Sequence, residues 1–380
     1  MKSRILAIAR EVLSLPTAPF REHAVREYVR GFCRERGIAT RTDDMGNVLA
    51  TFGAKHRNPV FAFAAHMDHP GFIIEKDSVR RPVGARGLAR TTALFYGGVE
   101  ESYFRRARVR VFTVEGEVVG RVTRTRVDLK RNRKRVWLAL GGDVKRGEVG
   151  MWDLPALRLC GGRMHARACD DLIGCVSVLA LFDVLARRRT RRKVLGVFTV
   201  AEEGGLHGAK YLAMGGRIPR RSHVIAIETS RELPSARIGR GAVIRVGDRL
   251  NVFSPALTRF MEHAARRVAA REKDFRVQRA LMDGGYCETS VYQAFGYSAG
   301  AVCVPLGNYH NRDFRAKRIA PEIVAVDDLV NMVRLFLGMV HHAPDLPKFL
   351  DAPTPLYREE RRSLGERLFN PAGHSGRRKR

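Results

Sequence analysis

This 380-residue chain is poor in cysteine pairs, long hydrophobic runs and negative charge. Its six cysteines form no CxxC pair and no disulfide-framework spacing, which favours a reducing compartment. No apolar run approaches the ~20 residues that span a bilayer. The apolar stretch at 5–9 stops at Arg10, so we interpret it as part of an amphipathic helix and not as a secretory leader. We expect a cytoplasmic protein with no membrane partner.

Positive charge is in large excess, because 69 Lys and Arg face 39 Asp and Glu and give a formal net charge of +30. Arginine-rich runs occur at 124–135, 187–193 and 377–380. Such charge can bind the phosphates of nucleic acid. No interleaved aromatic platform or known nucleic-acid motif accompanies these runs. We therefore interpret the charge as a solvated, arginine-biased surface, with a nucleic-acid-associated protein as the alternative.

Hydrophobic patterning predicts an α/β fold with a mixed, mostly parallel sheet flanked by helices. Helical patterns occur at 2–13, 22–36, 172–186, 255–270 and 321–342. Apolar, β-branched segments that predict strands occur at 47–52, 59–65, 194–200, 223–227 and 298–304.

The texture of the chain changes between residues 75 and 162. Short segments of alternating polarity at 108–114, 118–129 and 136–140 are separated by turn-like sequences, with an exposed basic turn near 131–135. This pattern predicts a small β-rich domain inserted into the α/β fold. The predicted main domain therefore consists of residues 1–74 and 163–345, and the inserted domain of residues 75–162. Residues 346–380 form a basic tail that is rich in Pro and Arg.

Two adjacent carboxylates, Glu202 and Glu203, end the apolar strand in the segment VLGVFTVAEEGGLHG at 194–208. Open α/β sheets place their chemistry at the carboxyl ends of buried strands. Adjacent side chains on an extended chain point in opposite directions, which lets one glutamate bind a metal while its neighbour serves as a base. A solvated glutamate pair that opens a loop is an equal alternative from this stretch alone.

A histidine and an aspartate follow another buried strand, in the segment HMDHPGF. His66 and Asp68 are two residues apart, so an extended chain carries them on one face. A histidine ligand with a carboxylate near enough to orient it is a common arrangement in metal centres. The HxD pattern is weak alone and gains weight from its place after the apolar run FAFAA.

Further candidate ligands are Glu228 and His310, each after a predicted strand, and Asp170 at the start of a long apolar helix. In isolation, capping of the helix by Asp170 and Asp171 is our first interpretation of that aspartate pair, and a bridge by Asp170 between two metal ions is the functional alternative. Taken together, two histidines and three carboxylates, one of them shared, suit two zinc-type ions. Glu202 is then left over as the general base that a hydrolase needs.

Five segments resemble the glutamyl/deblocking aminopeptidase family, whose members form tetrahedral oligomers within the clan of dinuclear zinc exopeptidases. HMDHPGF resembles the family's HMDEIGF, ACDDLIGC its ALDDRIGC, TVAEEGGLHGA its TVQEEVGLRGA, IAIETS its IAIDVT, and PLGNYHN its PLRYMHS. The likeness covers about residues 3–342 in a constant order. The long gap between Asp68 and Asp170 leaves room for the family's inserted β domain.

The resemblance implies a zinc-exopeptidase-like fold, two divalent ions (zinc, with cobalt or manganese as alternatives), short peptide substrates and a homo-oligomer. It also implies a general base, Glu202, and a carboxylate behind one ligand, Asp68. The ligand sets that it implies are His66, Asp170 and Glu228 for one ion, and Asp170, Glu203 and His310 for the other.

Three positions depart from the family pattern. Glu228 stands where Asp is usual, His69 follows Asp68 in HPG instead of EIG, and DGGYCET replaces GGTDA, which places Cys287 at an expected Asp with Glu288 beside it. We interpret Cys287 as a buried structural thiol, with a thiolate ligand or nucleophile as the alternative, and His69 as a supporting or surface residue. The altered segment keeps open a related metallo-amidohydrolase or carboxypeptidase that acts on acylated amino acids or small peptides.

Overall fold

The computed structural model describes residues 1–53, 59–80, 88–128, 133–190 and 192–350. Eight α-helices occur in these ranges and are numbered in chain order: α1 (Lys2–Ser14), α2 (His23–Glu35), α3 (Leu172–Arg187), α4 (His207–Met214), α5 (Pro255–Ala269), α6 (Glu288–Ala294), α7 (Val326–His342) and α8 (Pro347–Leu350).

The same ranges contain twenty strands: β1 (Ala39–Thr42), β2 (Val48–Phe52), β3 (Phe61–His66), β4 (Gly71–Ile74), β5 (Val79–Arg80), β6 (Ala89–Tyr96), β7 (Arg108–Thr113), β8 (Gly116–Asp128), β9 (Arg133–Leu140), β10 (Val149–Trp152), β11 (Arg158–Cys160), β12 (Arg163–Ala166), β13 (Val194–Thr199), β14 (His223–Arg231), β15 (Ala242–Gly247), β16 (Val277–Leu281), β17 (Ala299–Leu306), β18 (Arg312–Asp313), β19 (Arg318–Ile319) and β20 (Glu322–Ala325).

The main sheet has eight strands in the order β1-β2-β13-β3-β14-β17-β15-β16. Its four central strands, β13, β3, β14 and β17, run parallel to one another, while the outer pairs include antiparallel strands. Parallel strands that are covered by helices on both faces are apolar throughout, and β3 and β13 are buried at every position. The predicted α/β fold with a mixed, mostly parallel sheet is confirmed.

Helices cover both faces of this sheet because successive strand residues point to opposite sides. On β3, Phe61 and Phe63 join the core formed with α1, α3, α5 and α7, whereas Ala62 and Ala64 join the core formed with α4 and α6. Helix α3 is apolar around most of its circumference and is buried continuously from Leu172 to Asp183, since it packs against α1, α7 and β3. Its amino end is therefore fixed beside the central strands.

A second sheet of seven strands follows the order β4-β10-β7-β8-β9-β6-β5, and an additional β4–β6 pairing closes six of them into a small antiparallel barrel. Its core is aromatic: the Phe72 ring lies 4.8 Å from Trp152 and 4.9 Å from Phe95, with edge-to-face geometry. This barrel is the small β-rich unit that the alternating pattern predicts.

The structure corrects two details of the predicted elements. Glu228 does not end its strand, because β14 continues to Arg231 in register with β17. The last long helix begins at Val326 and not near residue 321, since Glu322–Ala325 forms β20 and pairs antiparallel with β12. Pro321 and the β-branched Ile323 and Val324 favour extended chain at this point.

The predicted domain boundaries at 75, 162 and 345 stay a prediction. The barrel strands run from Gly71 to Trp152, and the small sheet β11-β12-β20 joins the chain after the barrel to a segment near its C-terminal end. Of the predicted basic turn, residues 131 and 132 lie outside the described residues, as does the tail from 351 onward. Among the described residues, no helix is long and apolar enough to cross a membrane.

Close backbone packing at Gly208 predicts that a side chain at this position destabilises the fold. A Cβ on Gly208 would lie 2.6 Å from both the amide nitrogen and the carbonyl oxygen of Val200, and would also clash with Asn47. We expect Gly208→Ala to lower the free energy of unfolding by about 1–3 kcal/mol in urea titrations. Gly31→Ala on α2 is the matched control, because its Cβ would meet only Arg34 at 4.0 Å, and it should be neutral or stabilising. Equal effects of both substitutions would contradict the packing argument.

Candidate metal centre

The four central strands bring their polar residues to one edge of the sheet. His66 is the last residue of β3, and Glu202 and Glu203 lie in the turn after β13. Glu228 projects from within β14, and His310 follows β17 in a short 3₁₀ turn with a left-handed φ of 55°. Residues that lie far apart along the chain therefore meet at the carboxyl ends of parallel strands, as such sheets favour.

Asp170 lies between the two histidines, and each of its oxygens faces one of them. The distance from His66 Nε2 to Asp170 Oδ1 is 3.5 Å, and the distance from His310 Nε2 to Asp170 Oδ2 is also 3.5 Å. All three side chains are buried. This is the disposition of a carboxylate that can be shared by two cations.

Two groups of three ligand atoms share Asp170. His66, Asp170 and Glu228 offer atoms that all lie within 4.8 Å of one another, and Asp170, Glu203 and His310 do the same. In the second group His310 Nε2 lies 2.8 Å from Glu203 Oε1. The structure thus brings together all five ligand positions that the sequence and the family resemblance indicate.

Glu202 and Asp68 belong to neither group. Glu202 Oε2 lies 4.0 Å from His66 Nε2, and its side chain keeps 14% of its surface exposed. Asp68 is fully buried and accepts hydrogen bonds from the backbone N–H groups of Glu202 and Glu203 at 3.0 and 2.9 Å. Its Oδ1 also lies 3.5 Å from His66 Nδ1. Asp68 therefore fixes both the turn after β13 and the orientation of His66.

The two aspartates at the start of α3 make different contacts. Asp171 caps the helix, since its carboxylate accepts from the Gly174 N–H at 3.1 Å and from the Thr229 hydroxyl at 2.8 Å. Asp170 instead faces the two histidines. Capping and the candidate bridging position are thus both present, on neighbouring residues.

The charges of the cluster are unbalanced. Burial, with Asp170 nearby, raises the pKa of Glu228 to about 8, and burial, with Glu228 and Glu203 nearby, raises the pKa of Glu202 well above its usual value. Burial by itself would lower the pKa of His66, but the carboxylates around this imidazole, led by Asp170, raise it well above its usual value. The cluster has more negative charge than its imidazoles can neutralise.

The residues present fit metal ions. Asp170 Oδ1 is buried and has no hydrogen-bond partner among the described residues, which is costly unless a cation occupies the space before it. Tetrahedral zinc with bonds near 2.0–2.2 Å separates its ligand atoms by about 3.3–3.5 Å, and the 3.5 Å contacts of Asp170 match that spacing. Histidine nitrogen with carboxylate oxygen is also the donor mixture that zinc, cobalt and manganese accept.

Sequence reasoning missed two buried glutamates that hold the site. Glu322 on β20 accepts from the backbone N–H groups of Cys169 and Asp170 with Oε2, at 2.7 and 3.1 Å, and from that of His310 with Oε1 at 2.9 Å. Glu22 accepts from the N–H of Ala201, before the glutamate pair, at 2.9 Å. The available signal for Glu322 was its place between Pro321 and β-branched residues, which marks a strand.

Two of the positions that depart from the family pattern, His69 and Cys287, lie around the candidate metal centre. His69 is buried, and its ring contacts the Asp170 carbonyl and, at 2.9 Å, the Asn311 side chain. Cys287 is buried, and burial raises the pKa of its thiol to about 12. It lines an open cleft that also contacts Asp170, Glu202 and Arg245. His69 is therefore a supporting residue, and the altered segment lies beside the candidate centre.

Comparisons with known proteins agree on one family. The family model described as M42 glutamyl aminopeptidase matches residues 121–335. A relative from Acetivibrio thermocellus, named as an aminopeptidase, is 25% identical over 337 residues, which cover 84% of this chain and 93% of the relative.

Two solved structures share the fold. An aminopeptidase from the archaeon Desulfurococcus kamchatkensis is 22% identical with a TM-score of 0.72, and the match covers 93% of this chain and 99% of that one. The TET1 peptidase of Pyrococcus horikoshii, which can assemble into a tetrahedron or a large octahedral shell, is 21% identical with a TM-score of 0.70, over 88% and 99% of the two chains.

The three backbone contacts of Glu322 predict that its substitution lowers the stability of the protein. In Glu322→Gln one carboxylate oxygen becomes an NH₂ group, so a buried backbone N–H of Asp170 or His310 faces a donor. We expect the free energy of unfolding to fall by about 1–3 kcal/mol in urea titrations. Glu27→Gln is the control, because Glu27 is exposed on α2 and pairs only with Arg30 among its described contacts. If both variants unfold like the wild type, Glu322 does not hold this site.

Proposed function

Since the chain belongs to the M42 glutamyl aminopeptidase family, we propose that it is a dinuclear metal-dependent aminopeptidase that removes N-terminal residues from short peptides. The observation that carries the proposal is Asp170, a buried carboxylate whose two oxygens each face one histidine at 3.5 Å. A carboxylate placed in this way suits two cations that are held a few ångströms apart.

The proposed ligands are His66, Asp170 and Glu228 for one ion, and Asp170, Glu203 and His310 for the other. Two divalent ions, zinc in our proposal, would supply Lewis acidity toward the scissile carbonyl and would acidify a water molecule. Cobalt and manganese are the alternative ions. Glu228 reaches the cluster with one methylene more than the aspartate usual at this position.

Glu202 is the proposed general base. It lies beside the cluster without belonging to either ligand group, and its raised pKa suits a carboxylate that must accept a proton. It would take a proton from the attacking water and pass it to the leaving amine. Asp68 acts as a positioning residue, because its two oxygens hold the backbone of Glu202 and Glu203.

We further propose a homo-oligomer in a reducing, cytoplasmic compartment. The TET1 peptidase of P. horikoshii assembles into closed shells, and this chain shares its fold. All six cysteines are free, and five of them are buried, which suits a reducing environment. Our expectation that the basic surface does not bind nucleic acid as a main partner stays a prediction.

Metal removal tests the proposed function. We expect about two divalent ions per chain after mild purification, and loss of leucine- and glutamate-p-nitroanilide hydrolysis on chelation, with recovery when Zn²⁺ is restored. Metal analysis and initial rates on one sample measure both quantities. A metal-free chain, or activity that chelation leaves unchanged, would contradict the dinuclear proposal. Metal retained with turnover of N-acylated substrates only would favour the amidohydrolase instead.

Substitution of the base tests the assignment of Glu202. We expect Glu202→Gln to lower kcat for leucine-p-nitroanilide by about 10²–10⁴-fold, since the amide cannot accept the proton, while both metal ions stay bound. The control is Glu232→Gln, because Glu232 lies just beyond β14 and accepts from the Ile238 N–H instead of contacting the cluster. Unchanged kcat in Glu202→Gln, with full metal content, would exclude Glu202 as the base.

A further inference from the structure

A third group of metal-ligand residues lies away from the candidate centre. His263 on α5, His342 at the end of α7 and Asp345 in the 3₁₀ turn Ala343–Asp345 offer ligand atoms that all lie within 4.8 Å of one another. Phe260, one turn before His263, stacks on Phe61 with ring centroids 5.5 Å apart. Phe61 begins β3 and His66 ends it, so about 17 Å of strand separates the two regions.

The geometry of this group matches a metal site. His263 Nε2 lies 3.3 Å from Asp345 Oδ2, and His342 Nδ1 lies 3.5 Å from the same oxygen. These are the ligand-to-ligand distances of about 3.3–3.5 Å that a tetrahedral ion with bonds near 2.0–2.2 Å imposes. Two imidazoles from different helices therefore converge on a single carboxylate oxygen.

Packing holds the three side chains in these positions. The His263 ring lies 5.2 Å from that of Phe349 and 5.9 Å, edge to face, from that of His342. Lys348 Nζ binds the other oxygen of Asp345 at 2.7 Å and leaves Oδ2 to the histidines. When the carboxylate oxygen that does not bind the metal already has a hydrogen bond, the other oxygen is held in an orientation that supports metal binding.

The three side chains of the group are partly exposed to solvent. The exposed fractions of the three side chains are 26%, 12% and 28%, so solvent reaches the group. His342 stands at the carboxyl end of α7, where the helix dipole favours positive charge. Arg267 and Lys348 lie nearby and oppose the binding of an ion, so we expect weaker binding than in a buried cluster rich in carboxylates.

We propose that His263, His342 and Asp345 form a third metal site, which binds a borderline transition ion such as Zn²⁺ and joins α5 to the end of α7. Two nitrogen donors with one oxygen donor select such ions over Ca²⁺ and Mg²⁺, which prefer oxygen ligands alone. With three protein ligands, the fourth position is left to water. The site would act as a structural clamp and does not depend on the proposed aminopeptidase activity.

The test is Zn²⁺ binding by equilibrium dialysis to the full chain as purified, with His263→Gln and His342→Ala as the variants. We expect the wild type to bind one Zn²⁺ per chain more than either variant and to gain thermal stability from added Zn²⁺ that the variants do not gain. The difference of one ion holds however many ions the candidate centre carries. Failure of the aminopeptidase proposal would therefore leave this result interpretable.

His341→Ala is the matched control, because His341 is an exposed neighbour of His342 on the same helix end and is not part of the group. It should bind Zn²⁺ and respond to it like the wild type. Urea unfolding transitions of the two variants, measured before Zn²⁺ is added, report that they are folded without relying on any activity. Equal Zn²⁺ stoichiometry and equal stabilisation in the wild type and in both variants would overturn the proposal, as would a loss in His341→Ala equal to that in His342→Ala.

Discussion

Negative charge buried at the carboxyl edge of the parallel sheet is the constraint on which the structure around it depends. Asp68, Asp170 and Glu228 are buried there, and Glu202 and Glu203 lie beside them. Each buried ion costs several kcal/mol unless opposite charge or hydrogen bonds compensate it. Backbone N–H groups compensate Asp68, whereas Asp170, Glu203 and Glu228 have the imidazoles of His66 and His310 beside them. Protons or cations must supply the remaining compensation, so the metal ions that we propose here would also stabilise the fold.

Buried acceptors outside the ligand groups hold the loops that carry the ligands. Glu22 and Asn47 bind the N–H groups of Ala201 and Val200, and Asp68 binds those of the two following glutamates. Glu322 does the same for the segments of Asp170 and His310. Four successive backbone amides after β13 thus have assigned side-chain partners. A turn whose backbone is fixed in this way can present the two adjacent carboxylates of Glu202 and Glu203 in different directions.

Elements and site residues that follow from a local sequence pattern could be predicted from the sequence. Residue roles that depend on partners distant in the chain could not. Apolar strands followed by His66, by the Glu202 pair and by His310 were recognisable because burial and polarity change abruptly there. Glu322 was not, since its role is defined by backbone groups that lie about 150 and 12 residues away. The segment around Glu322 is also apolar enough to resemble the first turn of α7 in sequence. The extension of β14 past Glu228 likewise depends on pairing with β17, which no local signal encodes.

The same residue types give different chemistry at the two ends of β3. At its carboxyl end, carboxylates outnumber imidazoles and solvent is largely excluded, which strengthens electrostatic interactions and suits the tightly bound ions that we propose there. Near its amino end, two imidazoles share one partly exposed carboxylate beside Lys348. An ion there meets water and opposing charge, so it exchanges readily and has no spare carboxylate to serve as a base. Burial and the ratio of carboxylate to imidazole, more than ligand identity, therefore distinguish the proposed reactive centre from the proposed structural clamp.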